Sequence, residues 1–149
     1  MNLDSYPVIS SDDLLTHTFV SEGPKGKIEK HISFQTIGRN CFNLAFGDWM
    51  DERESINDKN RSNNLDREKV LSTVANTVQA FMLRYPMSRI FVRGSTQART
   101  RLYQMRLLSY LHEINKDFLL EGFHENEWET FQPNNNYSSF SLTKKMKLP

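Results

Sequence analysis

Six arginines, Arg84, Arg89, Arg93, Arg99, Arg101 and Arg106, fall between Lys69 and His112, where the chain has no Asp or Glu. Guanidinium groups suit oxyanions: each presents a planar fork of donors and stays charged at physiological pH. Four of the six flank or follow one motif, Gly94-Ser95-Thr96. Arg99 and Arg101 come in the first two turns of the helical pattern after it, where the macrodipole and the free backbone N–H groups favour anions, so each is misplaced by about 0.3 kcal/mol or more. A negative group has to compensate them. It is either a phosphate on a ligand or a carboxylate of the protein, with Asp48, Glu52 and the run at Glu125 and Glu127 as internal candidates. The candidate anion-binding set is therefore Arg93, Ser95, Thr96, Arg99, Arg101 and Arg106, with backbone N–H groups and two hydroxyls at the helix start adding donors.

A second tier of candidates is Lys25, His31 and Asp48. Lys25, Lys27 and Lys30 with His31 could extend a basic patch from a hairpin tip, or simply meet water there. His31 as a general base needs an orienting carboxylate and a substrate. Asp48, Asp51 and Glu52 could form paired carboxylates for acid-base or Mg²⁺ chemistry. His17, His112 and His124 have no HxH or HExxH spacing, so no metal site is expected. The motif is not a P-loop: there is no GxxxxGK[ST], and no GxGxxG, so no cofactor is signalled. Trp128 and Phe131 could stack a base, but with Glu125, Glu127 and Glu129 around them they are expected to repel phosphates and to anchor a core or a protein interface.

The elements that must position these residues follow from periodicity. Residues 88–114 read as a short strand, a turn broken by Gly94 and capped by Ser95 or Thr96, and one long helix with Leu102, Met105, Leu107, Leu108, Leu111 and Ile114 on a broad apolar face. Before it, Val70, Leu71, Val74, Ala75, Val78, Phe81, Met82 and Tyr85 form a stripe at spacings of three and four, which predicts a helix from about Asp66, stopped by Pro86. A meander of three antiparallel strands precedes that helix. It comprises Thr16 to Val20, the turn Gly23-Pro24-Lys25-Gly26, Lys27 to Ile37 with Ile28, Ile32 and Phe34 on one face, the turn Gly38-Arg39-Asn40, and a strand from Cys41 with Phe42, Leu44 and Phe46 alternating. Met50 to Asn64 reads as a charged loop, functional or solvated. At the other end, Phe118 to Phe123 and a stretch marked by Tyr137, Phe140 and Leu142 read as strands, with His124 to Asn136 a long connection between them.

These elements predict an α+β fold: a mainly antiparallel sheet of five to six strands with two helices packed on one face. A length of 149 residues predicts a single domain, with residues 1–13 a loosely attached lead-in touching it through Tyr6 and Val8, and 144–149 a frayed basic tail. The 38% hydrophobic and 25% charged content is that of an ordinary globular chain, and a net charge of +1 leaves only local asymmetry to attract an anion. The lone Cys41 excludes an internal disulfide and suggests a buried small hydrophobe in a reducing cytoplasm. Neither a signal-peptide pattern nor a long apolar run is present, so a cytoplasmic location away from membranes is expected.

Ser21-Glu22-Gly23-Pro24-Lys25-Gly26 with Ile28 and Lys30, Asn43-Leu44-Ala45-Phe46-Gly47-Asp48, Asp66 with Lys69-Val70-Leu71-Ser72-Thr73-Val74, and Gly94-Ser95-Thr96 with Arg99-Thr100-Arg101-Leu102-Tyr103 occur in order. This combination, from about Thr16 to Lys144, resembles a family of small uncharacterised bacterial proteins common in Bacteroidetes. The resemblance implies a bacterial, intracellular origin and brings no activity or catalytic residue with it. The residues themselves favour binding of a phosphate-bearing ligand or nucleic acid. An RNA- or nucleotide-acting enzyme in a toxin-antitoxin or defence setting, and a protein-interaction module with an apolar patch near Trp49 or Trp128, are the alternatives.

Overall fold

The computed structural model describes residues 4–50, 55–57 and 64–146. In chain order these form β1 (Ile9–Ser10), β2 (Thr16–Gly23), β3 (Gly26–Gly38), β4 (Cys41–Met50), β5 (Ser55–Asn57), α1 (Arg67–Arg84), β6 (Arg89–Val92), α2 (Gln97–Ser109), α3 (Leu111–Asp117), β7 (Phe118–His124), β8 (Glu127–Thr130) and β9 (Ser139–Lys144). The α+β class stands, but among the described residues nine strands replace the expected five to six, and three helices replace two. Asp51, Glu52 and most of the Met50 to Asn64 loop, with the last residues of the basic tail, lie outside the described residues, and so does the Trp49 side chain. Among the described residues no helix is long and apolar enough to cross a membrane.

Two compact units divide the chain, Met1–Gln35 with Leu44–Tyr85 and Thr36–Asn43 with Pro86–Pro149, so the chain passes between them within β3 and β4. In the first unit β2 pairs antiparallel with β1 and β3, and β5 with β4. Alternation sends His17, Phe19 and Ser21 of β2, and Lys30, Ile32 and Phe34 of β3, into the interior. Helix α1 closes this face with Val74, Val78, Phe81 and Met82, each worth about 1.5–3 kcal/mol when buried. The Phe34 and Phe81 rings stack at 4.0 Å and 7°.

The cap of α1 does not act as a cap. Asp66 occupies the N-cap position, yet its side chain takes no helix N–H. Its Oδ2 instead accepts the Tyr6 hydroxyl at 2.7 Å and the Ser21 hydroxyl. Asn64 extends this clasp: its Nδ2 donates to Ser21 Oγ at 3.1 Å and to the Gly26 carbonyl at 3.0 Å, while its Oδ1 accepts the Lys25 amide at 2.7 Å. A Cβ on Gly23 would lie 2.0 Å from the Asn64 carbonyl oxygen, so the hairpin tip approaches as closely as only glycine permits. Tyr6 is buried, stacks on Phe19 at 5.7 Å and donates its amide to Thr73 Oγ1 at 2.9 Å, so the lead-in is held at this point by both faces of one residue.

In the second unit the strand order is β4-β6-β9-β7-β8, with β4 and β6 parallel and the other pairs antiparallel. The stretch read as a connection from His124 to Asn136 contains β8, joined to β7 by Glu125 and Asn126, both at positive φ. That two-residue turn is the twist-matched kind that tight hairpins favour, and Glu at its first position hid it. The long helix breaks at Tyr110 (φ −113°, ψ 14°) into α2 and α3. Tyr103, Leu107, Leu111 and Ile114 all pack against Leu120, Phe131, Tyr137 and Phe140. Met105 and Leu108, expected on the apolar face, are exposed, and Cys41 is half-buried where a buried position was expected.

Two measurements check this account. Asp66→Ala leaves the Tyr6 and Ser21 hydroxyls without their shared acceptor and should cost about 2 kcal/mol, read as a lower urea midpoint, whereas Tyr6→Phe should cost roughly half as much. An unchanged midpoint would remove the clasp from the fold's energetics. His17 is buried, with Nε2 donating to the Leu14 carbonyl and Nδ1 accepting from Ser10 Oγ, both at 2.7 Å. Burial therefore holds the imidazole neutral and pushes its pKa below the usual 6.5, against smaller opposing effects of the Leu14 carbonyl and Asp13. The unfolded chain takes up the proton first, so stability falls as pH drops from 6.5 toward the lower folded value, by at most about 1.4 kcal/mol per pH unit, and His17→Gln should flatten that slope.

Candidate functional site

The strand-turn-helix is built around Thr100. Its hydroxyl accepts the Gly94 amide at 3.1 Å and donates to the Thr96 carbonyl at 3.1 Å, so one buried side chain ties both ends of the turn. A Cβ on Gly94 would come within 2.4 Å of the Thr100 nitrogen, which makes glycine a requirement of close approach. Of the two capping candidates, Thr96 is the N-cap: it is extended (φ −134°, ψ 161°), and its Oγ1 accepts the Arg99 amide at 3.2 Å. Ser95 is half-buried, while Thr96, Gln97 and Ala98 are exposed. No acidic residue sits in the first turn of α2, so the positive helix end has no local counter-charge.

All six primary candidates belong to the second unit, within residues 93–106. Arg93 and Arg101 are exposed and have no ion-pair or hydrogen-bond partner among the described residues. Arg99 and Arg106 are half-buried and engaged within the protein, Arg106 lying 5.8 Å from the Tyr110 ring centroid. Two of the four carboxylates named as internal partners have other partners. Asp48 holds Lys30, and Glu125 lies 3.6 Å from His124 Nε2; Glu52 is outside the described residues.

Arg89, absent from the candidate set, turns out to organise one face of the sheet. Its guanidinium pairs with Glu121 at 3.1 Å, donates twice to Ser141 Oγ, and lies over the rings of Phe91 at 5.2 Å and Trp128 at 5.6 Å. Alternation in each strand signals which residues share a face, but only the pairing of β6 with β9 and of β9 with β7 brings Arg89, Ser141 and Glu121 together. Register separates Trp128 from two of the acids beside it in sequence. Trp128 pairs with Phe123, whereas Glu127 and Glu129 alternate to the opposite face. There Glu129 accepts the Tyr137 hydroxyl at 2.8 Å and Asn135 Nδ2 at 2.6 Å, and these bonds hold its carboxyl below the usual range.

The secondary candidates lie in the first unit. Lys25 is exposed at the hairpin tip, held there by its amide. His31 is half-buried, with Nε2 3.0 Å from Glu29 Oε2 on its own strand, so the orienting carboxylate sought for it exists. Lys30 does not join a basic patch. It shares the inward parity of Ile32 and Phe34, and its ammonium pairs with Asp48 at 2.5 Å in a buried site, which removes Asp48 from the role of a free base. Among the described residues no group of three His, Cys, Asp or Glu is placed to hold a metal ion.

Breaking the buried pair from one side should be costly. Lys30→Met leaves the Asp48 carboxylate without its ammonium partner and should lose about 3–5 kcal/mol, while Lys30→Met with Asp48→Leu should recover most of it. Additive losses in a double-mutant cycle of urea midpoints would mean that the two charges do not interact.

No curated protein and no solved structure matches the chain. A family model does match, over residues 2–145, and it runs through the hairpin clasp, the buried pair and the Gly94 turn alike. The chain belongs to that family, the family of unknown function DUF6934.

Proposed function

We propose that this is a bacterial cytoplasmic protein that binds a phosphate-bearing ligand, and by preference a nucleic acid, through Arg93, Ser95, Thr96, Arg99, Arg101 and Arg106. The observation that carries the reading is the state of Arg93 and Arg101: both are exposed and without a carboxylate partner among the described residues, beside a helix start with no acid in its first turn. Arg89, four residues before Arg93, already has its carboxylate in Glu121. An enzyme acting on RNA or nucleotides is the weaker reading, because Asp48 is held by Lys30. Phosphates would meet the two exposed guanidinium groups, and the Thr96 hydroxyl and the exposed first turn of α2 would supply further donors. Affinity would then rest on counterion release and fall steeply with salt.

Fluorescence anisotropy of labelled oligonucleotides against NaCl tests this. Binding should weaken with added salt, and replacing both Arg93 and Arg101 by Ala should lower the log–log salt slope by about 1.4 for a single strand. The same double substitution should leave the melting temperature of the free protein unchanged or slightly higher, since Arg101 opposes the helix dipole. No binding to any oligonucleotide or to inorganic phosphate, with a loss of stability in the double variant, would overturn the reading.

A further inference from the structure

The two faces of the second unit's sheet are covered differently. Leu120, Phe140 and Leu142 stand on the face that Tyr103, Leu107, Leu111 and Ile114 close from α2 and α3. The opposite face carries Arg89 and Phe91 of β6, Ser141 of β9, Glu121 and Phe123 of β7, and Trp128 of β8. On this face Trp128 is 36% exposed and Leu119 38% exposed. Ser139 and Ser141 of β9 are short, so the larger rings of the flanking strands meet: Phe91 and Trp128 at 5.6 Å and 63°, Phe123 and Trp128 at 5.2 Å and 56°.

Arg89 spans Phe91 and Trp128 and is neutralised by Glu121, which leaves the aromatic cluster oriented by a charge pair with no net charge. The uncompensated charge nearest in sequence is Arg93, two residues beyond Phe91, exposed and with no partner among the described residues. Glu127 and Glu129, the acids that flank Trp128 in sequence, alternate to the other face. A partly exposed indole fixed by neighbouring rings, on a sheet whose β6 runs out into an exposed arginine, has the chemistry of a base-stacking surface.

We infer that this sheet face is a stacking surface for an unpaired base of a single-stranded nucleic acid, with the exposed part of Trp128 against the base and Arg93 at the phosphate. The inference rests on the phosphate-binding reading and adds strandedness to it. A duplex keeps its bases stacked inside and offers none to Trp128, so the platform distinguishes single strands from duplexes. Its recognition tolerates sequence, because every base presents a π face.

The test uses the full chain carrying Trp49→Phe, so that Trp128 is the only indole, since the sequence has 2 tryptophans. Titration with an oligothymidine strand should quench Trp128 emission, and a duplex of equal length should not. Trp128→Leu, which keeps an apolar side chain but removes the ring, should weaken single-strand affinity roughly tenfold at an unchanged salt slope, and Trp128→Phe should restore part of it. If Trp128→Leu melts early, the emission change in the Trp49→Phe protein decides alone. Single-strand binding without quenching, and undiminished in Trp128→Leu, would overturn the platform while leaving the phosphate reading intact. Failure of both single strand and duplex to bind would overturn both. A protein that self-associates until Trp128→Leu makes it monomeric would assign the face to a protein interface and overturn the platform.

Discussion

Gly94 and Thr100 approach so closely that a Cβ on the glycine would sit 2.4 Å from the threonine amide, and the second unit's charged surface depends on that contact. Because β6 ends at Val92 and α2 begins at Gln97, the turn has almost no slack, and Thr100 Oγ1 bridges its two ends. A longer or looser turn would let α2 slide along Leu120, Phe131, Tyr137 and Phe140, where Tyr103 and Leu107 now pack. With the turn tied, the outward residues of β6 and the first turns of α2 are locked to one frame. Arg93 and Arg101 then stand exposed at a positive helix end that contains no acid.

Several carboxylates that could answer these charges already have partners. Asp48 is held by Lys30, and Asp66 by the Tyr6 and Ser21 hydroxyls, all within the first unit. In the second, Glu121 pairs with Arg89, and Glu129 is bound by Tyr137 and Asn135. For the buried Asp48, giving up its ammonium would meet a desolvation penalty larger than any gain from a surface arginine. These carboxylates are engaged within their own units, while Arg93 and Arg101 have no ion-pair or hydrogen-bond partner among the described residues.

Strong periodicity was legible in the sequence. The α1 stripe, stopped by Pro86, predicts the helix end at Tyr85, and the alternation of Ile28, Ile32 and Phe34 sets the interior face of β3. Lys30 shares that parity but reads as part of a basic patch, because nothing in the sequence says that Asp48 waits there on β4. Features that depend on pairing were not legible. β8 was concealed because its turn uses Glu125 and Asn126 at positive φ, and its acids read as a solvated run until register divides Glu127 and Glu129 from Trp128. The break at Tyr110 left no Pro or Gly to mark it, so one apolar stripe stood for α2 and α3 together. Of the candidate site, the helix start and its arginines were visible as a charge anomaly. Arg89 was missed because its role comes from Glu121 and Ser141, which are distant in sequence.

The central claim is that an anion is met at residues 93–101 of the second unit. Amide chemical-shift mapping during a titration with a short single-stranded oligonucleotide tests it most directly, because each backbone N–H reports its own surroundings. The account predicts saturable shifts concentrated on Arg93 to Arg101 and on the Trp128 indole, with Lys25 and His31 unmoved. Saturable shifts confined to Lys25, Lys27 and His31, or no shifts at all up to millimolar ligand, would contradict it.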